Sequence, residues 1–317
     1  MKRNDIKRGL WDSLILYWRW NRESLLRNVS AFAENGRHVI GMDGPVETGS
    51  EKGVGRGNSS MPPFFSSMPP SLSSSSSSSS LPLDAMKRVV HERRSCKRFD
   101  PTKPIDLDVV SDLLAMTVRA PTALNLQPWV AVVIHEEEQR ETLSRAALGQ
   151  PQPRDAPVTV VFAGDMEPES NAPAALEMGL ESGYYHSLYG AAYLRHVYYL
   201  LHGGPCEAMS HVKAIVSAWY SESTGNAMLS VPRNKQAYAW KQVMIPATTF
   251  LYLATAAGFD TAILEGFDEA QVRRVAGLPP RFTVPVIISV GHGAKNGFHS
   301  VRSPRFPTKH LVRWGKF

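Results

Sequence analysis

"RAPTALNLQPW" occupies residues 119–129 and runs directly into "VAVVI" (130–134). The stretch before it, "DLDVVSDLLAMTVR" (106–119), repeats apolar residues at helical spacing. It predicts a helix with Val109, Leu113, Leu114 and Val118 on one face. "WVAVVI" (129–134) has the composition of a buried strand. The quoted stretch is therefore a helix-to-strand connection. A turn needs a Pro or an Asn. This one holds Pro121, Thr122, Asn125, Gln127 and Pro128, more donors and acceptors than a turn requires.

Working outward, Asp84 is placed to cap a helix through "AMKRVVHER". "EEQRETLSRAAL" (137–148) reads as helix and "APVTVVFAGD" (156–165) as a second strand. Residues 176–203 read as helix, with Tyr184, Tyr185, Tyr189, Tyr193, Tyr198 and Tyr199 as packing residues. A long apolar helix covers 234–260, ending near Gly258 and bent at Pro246. "AILEGF" (262–267), a short helix in "DEAQVRRVAGL" and a last strand in "FTVPVIISVGHG" (282–293) follow. Helices alternate with strands, so the class is mixed α and β, with helices packed on a sheet.

The 317 residues carry a net charge of +6, half of it in residues 1–83. No Lys/Arg block is dense enough for a nucleic-acid footprint. Cys96 and Cys206 form neither a disulfide framework nor a zinc motif, and a reducing compartment is expected. No apolar run approaches the roughly 20 residues of a membrane span. Residues 1–40 hold seven basic residues by Arg27 with apolar residues between them, as in a transit peptide, although Asp5, Asp12 and Glu23 are atypical of one. The other reading is a partner-binding or disordered extension. Residues 41–83 are rich in Gly, Ser and Pro, with an unbroken Ser73–Ser80 run, and read as a disordered linker. Residues 84–317 form the expected folded domain.

The usual catalytic signatures are missing. There is no GxSxG elbow, and "GHGAKNG" (291–297) follows a strand without preceding a helix, so it is a weak dinucleotide motif. Two basic clusters stand out instead. "ERRSCKRFD" (92–100) crowds Arg93, Arg94, Ser95, Lys97 and Arg98, residue types suited to gripping a phosphate. Strand-like alternation would send Ser95 and Lys97 to one side and Cys96 and Arg98 to the other. "VRSPRFP" (301–307) adds Arg302 and Arg305.

"ERRSCKRFDPTKPI", "RAPTALNLQPW", "AALGQPQPRDAPVTVVF", "ILEGF" and "RSPRFP", in that order over residues 84–307, resemble the FMN-dependent nitroreductase family. The match resembles the oxygen-insensitive NAD(P)H nitroreductase type. With its N-terminal extension, the chain also resembles the mitochondrial nitroreductases of kinetoplastid protozoa. The resemblance implies an α+β, nitroreductase-like three-layer sandwich, a central and mostly antiparallel sheet flanked by helices. It also implies a domain-swapped-type homodimer, for which the apolar 234–260 helix is the candidate core.

The resemblance assigns roles by motif. Arg93, Arg94 and Ser95 would bind the FMN phosphate and ribityl chain, and Lys97 the pyrimidine edge of the flavin. Pro121, Thr122, Ala123 and Asn125 would contact the same cofactor from the partner subunit. Glu265 and Gly266 would place a backbone N–H near flavin N5, and Arg302 and Arg305 would close on the phosphate. Either Gln150 or Gln152 would touch the isoalloxazine. FMN, tightly and non-covalently bound, would carry two electrons from NADH or NADPH to nitroaromatic or quinone acceptors by a ping-pong scheme. No catalytic side chain is needed, because the cofactor carries the hydride chemistry. A non-catalytic FMN scaffold whose N-terminal extension binds a partner, and a same-fold dehalogenase or flavin-degrading enzyme, are the alternatives. The transit-peptide reading implies the mitochondrion, and otherwise the cytoplasm.

Overall fold

The computed structural model describes residues 82–204, 207–299 and 301–317. The expected transit peptide or extension at 1–40, the expected linker up to residue 81 and Cys206 lie outside them. The helices longer than one turn are α1 (Pro82–Glu92), α2 (Leu107–Thr117), α3 (Glu137–Ala146), α4 (Ala172–Glu181), α5 (Ser187–Leu201), α6 (Ala208–Thr224), α7 (Lys235–Ala256) and α8 (Glu269–Val275). The strands are β1 (Trp129–Ile134), β2 (Val158–Asp165), β3 (Asp260–Leu264) and β4 (Phe282–Gly291).

The four strands form one sheet in the order β1-β2-β4-β3, antiparallel throughout. Val161 of β2 pairs with Val132 of β1, and Ile288 of β4 pairs with Val160 on one side and Ile263 on the other. Alternation along β2 separates two cores. Val158, Val160 and Phe162 pack with Val243, Ala247, Phe250 and Leu251 of α7 and Val110 of α2. Val161 and Ala163 pack with Leu143 and Ala146 of α3 and Val272 of α8. The result is the expected three-layer α+β sandwich. Gly164 lets α7 approach the sheet: a Cβ there would lie 2.7 Å from Val243 Cγ2.

Several local expectations change. α1 begins at Pro82, so Asp84 sits in its first turn and does not cap it, and the last two linker residues are helical. The buried face of α2 is Val110 and Thr117 with Leu113 and Leu114, while Val109 and Val118 are exposed. Burial of Val110 shifts the inner face by one residue, because Val109 and Val110 are equally apolar and only the neighbouring layer selects between them. The single helix expected over 176–203 is two. α4 ends at Glu181, and Gly183, at φ +71°, follows the cap, with Tyr185 N–H donating back to the Gly179 carbonyl at 2.8 Å. α7 is capped by Asn234, whose side chain accepts from Ala237 N–H at 2.9 Å. It is continuous across Pro246, and its most buried face serves its own sheet. α6 had no counterpart in the sequence reading. Its buried Lys213 donates to the carbonyls of Tyr199 and His202, both at 2.6 Å, and burial holds its pKa below the usual lysine value.

Candidate cofactor site

The segment after α1 is clamped by its backbone. Ser95 bridges Thr261 of β3, and Cys96 N–H donates to the Thr261 carbonyl at 2.8 Å. Lys97 N–H donates to the Gly297 carbonyl at 2.6 Å, Phe99 bridges Gly293, and Asp100 N–H reaches the His292 carbonyl at 2.8 Å. The glycines of "GHGAKNG" make this approach physically accessible. A Cβ on Gly297 would lie 2.5 Å from the Arg98 carbonyl oxygen, and one on Gly293 3.3 Å from Cys96 Sγ. Close packing, not dinucleotide binding, explains them. Cys96 and Phe99 point inward. The alternation therefore fails at Arg98, which is exposed and lies 3.7 Å from Asp155 Oδ2. Burial pushes the Cys96 thiol up to about 11, so it is neutral and unsuited to nucleophilic work.

The two basic clusters come together. Arg94 Nη2 donates to the His299 carbonyl, and its guanidinium lies 5.1 Å from the centre of the Phe298 ring. Arg302 Nη1 donates to the carbonyl of His91, at the end of α1, and lies 3.2 Å from His91 Nδ1. Arg94 and Arg302 thus stitch 91–94 to 298–302. Among the described residues Arg305 bonds only to its neighbours Ser303 and Pro304. The side chains of Arg93 and Ser95, both half-buried, and of exposed Lys97 have no hydrogen-bond or ion-pair partner among the described residues.

β3 runs from this cluster to the Glu265–Gly266 turn. Five residue steps from Thr261 to Gly266 span about 16 Å. The Gly266 carbonyl accepts from Gln150 Nε2 at 2.7 Å, and Asp268 N–H donates to the Ala146 carbonyl at 2.9 Å. These contacts separate the two glutamines. Gln150 stands at the turn, whereas Gln152 is buried. Gly266 N–H finds no acceptor among the described residues. A Cβ on Gly266 would meet nothing closer than Gln150 Nε2 at 3.6 Å, so the turn presents open backbone.

The 121–127 turn is built differently. Leu124, Asn125 and Gln127 have φ of 55°, 53° and 47°, a left-handed backbone that non-glycine residues rarely adopt. Thr122 Oγ1 accepts from Gln127 N–H at 3.0 Å, and Gln127 Nε2 donates to the Asn125 carbonyl at 3.3 Å. From outside, Gln242 Oε1 on α7 accepts from Ala123 N–H at 2.9 Å. Tyr193 on α5 donates to the Leu124 carbonyl at 2.7 Å, and Asn171 Nδ2 to the Leu126 carbonyl at 3.0 Å. Pro121 and Ala123 face outward. None of these bonds reaches the Arg–Ser segment or the Glu–Gly turn. Gln242 and Asn171 carry no sequence motif, and Tyr193 reads from the sequence as a packing residue without its bond to the turn. A Gln on the buried face of an apolar helix was the one local signal, and it does not name its partner 119 residues away.

The model of the nitroreductase family matches residues 90–292. This chain belongs to the nitroreductase family. Among curated relatives of this chain, the "NADH dehydrogenase" of Thermus thermophilus is 27% identical over 237 residues, covering 74% of this chain and 98% of the relative. The oxygen-insensitive NAD(P)H nitroreductase of Enterobacter cloacae is 24% identical over 233 residues, 71% of this chain and 96% of the relative. A solved structure from Exiguobacterium sibiricum, described as a nitroreductase in complex with FMN, shares the fold at a TM-score of 0.52 and 21% identity, covering 72% of this chain and 96% of that one. Among the described residues no group of three or more His, Cys, Asp or Glu is placed to hold a metal, and no helix is long and apolar enough to cross a membrane.

Proposed function

We propose that this nitroreductase is an FMN-dependent oxidoreductase that takes electrons from NADH or NADPH and passes them in pairs to nitroaromatic or quinone acceptors by a ping-pong scheme. The observation that carries the reading is the layout along β3. Donor side chains without partners stand at one end and an open Glu–Gly backbone at the other. FMN, when bound, supplies the two-electron hydride chemistry. The donor set suits it: Arg93 and Ser95 would hold the phosphate by charge-assisted and hydroxyl hydrogen bonds, without a covalent link. Arg94 and Arg302 add positive charge there while fixing the walls. Lys97 would place its ammonium against the polar edge of the ring, and Gly266 N–H would face the reacting edge. Arg305, which bonds to Ser303 and Pro304, would have to turn inward to add its charge there.

The 121–125 turn supports a homodimeric site. Within one chain no hydrogen bond joins it to the Arg–Ser segment, yet its left-handed backbone is held from three directions. A rigid surface of this kind, with Pro121, Thr122, Ala123 and Asn125 at its outer side, suits contact with a cofactor in a second copy. The outer face of α7, with exposed Trp240 and Ile245, is what that helix leaves for a partner. Residues 1–40 would serve as a mitochondrial address.

The test is a visible spectrum of the purified protein and its turnover. Yellow protein that oxidises NADH or NADPH with a nitrofuran or a quinone is the expected result. Colourless protein that ignores added FMN would end the reading. Bound FMN without NAD(P)H oxidation would leave a scaffold instead.

A further inference from the structure

A helix on the surface of a domain normally turns its apolar side to the core and its polar side to water. α6 does the reverse. Ser210, Lys213, Ala214 and Ser217 are buried, whereas Val212, Ile215, Val216, Trp219 and Tyr220 are exposed. Its inward side must therefore meet polar surroundings, because a buried polar group without a partner is costly. Along the first half of the helix those surroundings are the Tyr199 and His202 carbonyls, which take the Lys213 ammonium. Along the second half they are a cavity of about 230 Å³.

The cavity lies between α6 and the 228–233 stretch that leads into α7. Ser217, Ser221, Ser230 and Arg233 line it, and none of its lining residues is an Asp or a Glu. Two of the serines anchor the stretch. Ser217 Oγ donates to the Leu229 carbonyl, and Ser221 Oγ accepts from Met228 N–H at 3.1 Å. The Ser221 hydroxyl hydrogen, the Ser230 hydroxyl and the Arg233 guanidinium are left without a partner among the described residues. Buried Ala214 and Val231 give the same cavity an apolar wall.

We propose that this cavity binds a small monocarboxylate with a short apolar tail. Arg233 offers paired N–H donors in the fork that fits a carboxylate. The Ser221 and Ser230 hydroxyls donate to the same oxygens, and the tail lies against Ala214 and Val231. Charge sets the class of ligand. One guanidinium balances one negative charge, whereas a phosphate dianion would hold its second charge against an apolar wall. Size sets the limit, since the cavity is smaller than the roughly 300–1,000 Å³ of pockets for drug-sized ligands. The site is independent of the cofactor reading. None of its lining residues belongs to the Arg–Ser segment, the Glu–Gly turn or the 121–127 turn.

Titration calorimetry of the full chain as purified, with sodium butyrate as the probe, tests the assignment. Saturable binding on the order of 1 mM is expected, an affinity within reach of so few heavy atoms. Acetate should bind roughly tenfold more weakly, because it lacks two buried methylenes. Arg233→Gln should weaken butyrate binding at least tenfold. It should leave the visible spectrum and the urea midpoint unchanged, because the side chain is exposed. Ala214→Leu should fill the tail space, so that butyrate binding falls and acetate binding persists. If butyrate binds Arg233→Gln as tightly as the wild type, it sits elsewhere and the assignment fails. If the wild type gives no saturable heat with butyrate, the assignment fails as well. Binding of inorganic phosphate that depends on Arg233, with butyrate inert, would mark a site for a bare oxyanion and overturn the carboxylate.

Discussion

The Arg–Ser segment at 93–98 and the turn at 121–127 are two stretches singled out by the family motifs, and they use their polar groups in opposite ways. In the first, backbone bridges to β3 and to the 292–297 stretch set the path, and the side chains of Arg93, Ser95 and Lys97 are left without partners. In the second, the side chains set the path. Thr122 and Gln127 bond within the turn, and Gln242, Tyr193 and Asn171 hold it from outside. Sheet-like backbone satisfies its own hydrogen bonds and frees side chains for a ligand. A left-handed turn has no ladder, so side chains must supply its partners.

The comparison predicts that substitutions around the turn affect stability first, and substitutions in the segment affect cofactor retention first. The largest effect is expected for Gln242→Ala, which leaves Ala123 N–H without its acceptor and empties a buried site. Urea unfolding should show a loss of about 2–3 kcal/mol. A loss too small to measure would mean that the turn holds its shape without α7. Next comes Arg93→Ala. Removing one charge-assisted hydrogen bond, about 1.5–3 kcal/mol, should weaken FMN binding tenfold or more, with the unfolding midpoint unchanged. Fluorescence titration with FMN checks this, and unaltered affinity would remove Arg93 from the phosphate site.

Tyr193→Phe should cost about 1 kcal/mol, the worth of one neutral hydrogen bond, with FMN affinity preserved. If affinity falls more than stability does, the turn is part of the binding surface within the same chain. The smallest effect concerns Cys96. The folded state keeps its thiol protonated up to about 11, whereas the unfolded chain ionises near 9, so ionisation favours unfolding and stability falls as pH rises between those values. Cys96→Ala should remove that part of the pH slope. An identical slope in both proteins would show that the thiol is not held neutral by burial.

Much of this was legible in the chain. "WVAVVI", "APVTVVFAGD" and "FTVPVIISVGHG" are strands within two residues of their expected bounds, because continuous β-branched runs have no stable alternative when both faces are covered. The two basic clusters were visible as clusters, and the structure joins them through Arg94 and Arg302. The register of α2 was not legible, since adjacent valines differ only in what lies across from them. The break between α4 and α5 was signalled by Gly183, but helix-forming residues on both sides hid it. The supports of the 121–127 turn come from three other elements, and no local pattern could name them.

By itself the chain determined most of the element types, the family motifs and the charge of the candidate site, because these depend on side-chain chemistry and on periodicities of two and 3.6 residues. Tertiary structure alone decided which polar groups are satisfied and which remain open. That choice depends on the neighbour each group meets, and for Ala123, Leu124 and Gly266 the neighbour lies far away in the sequence.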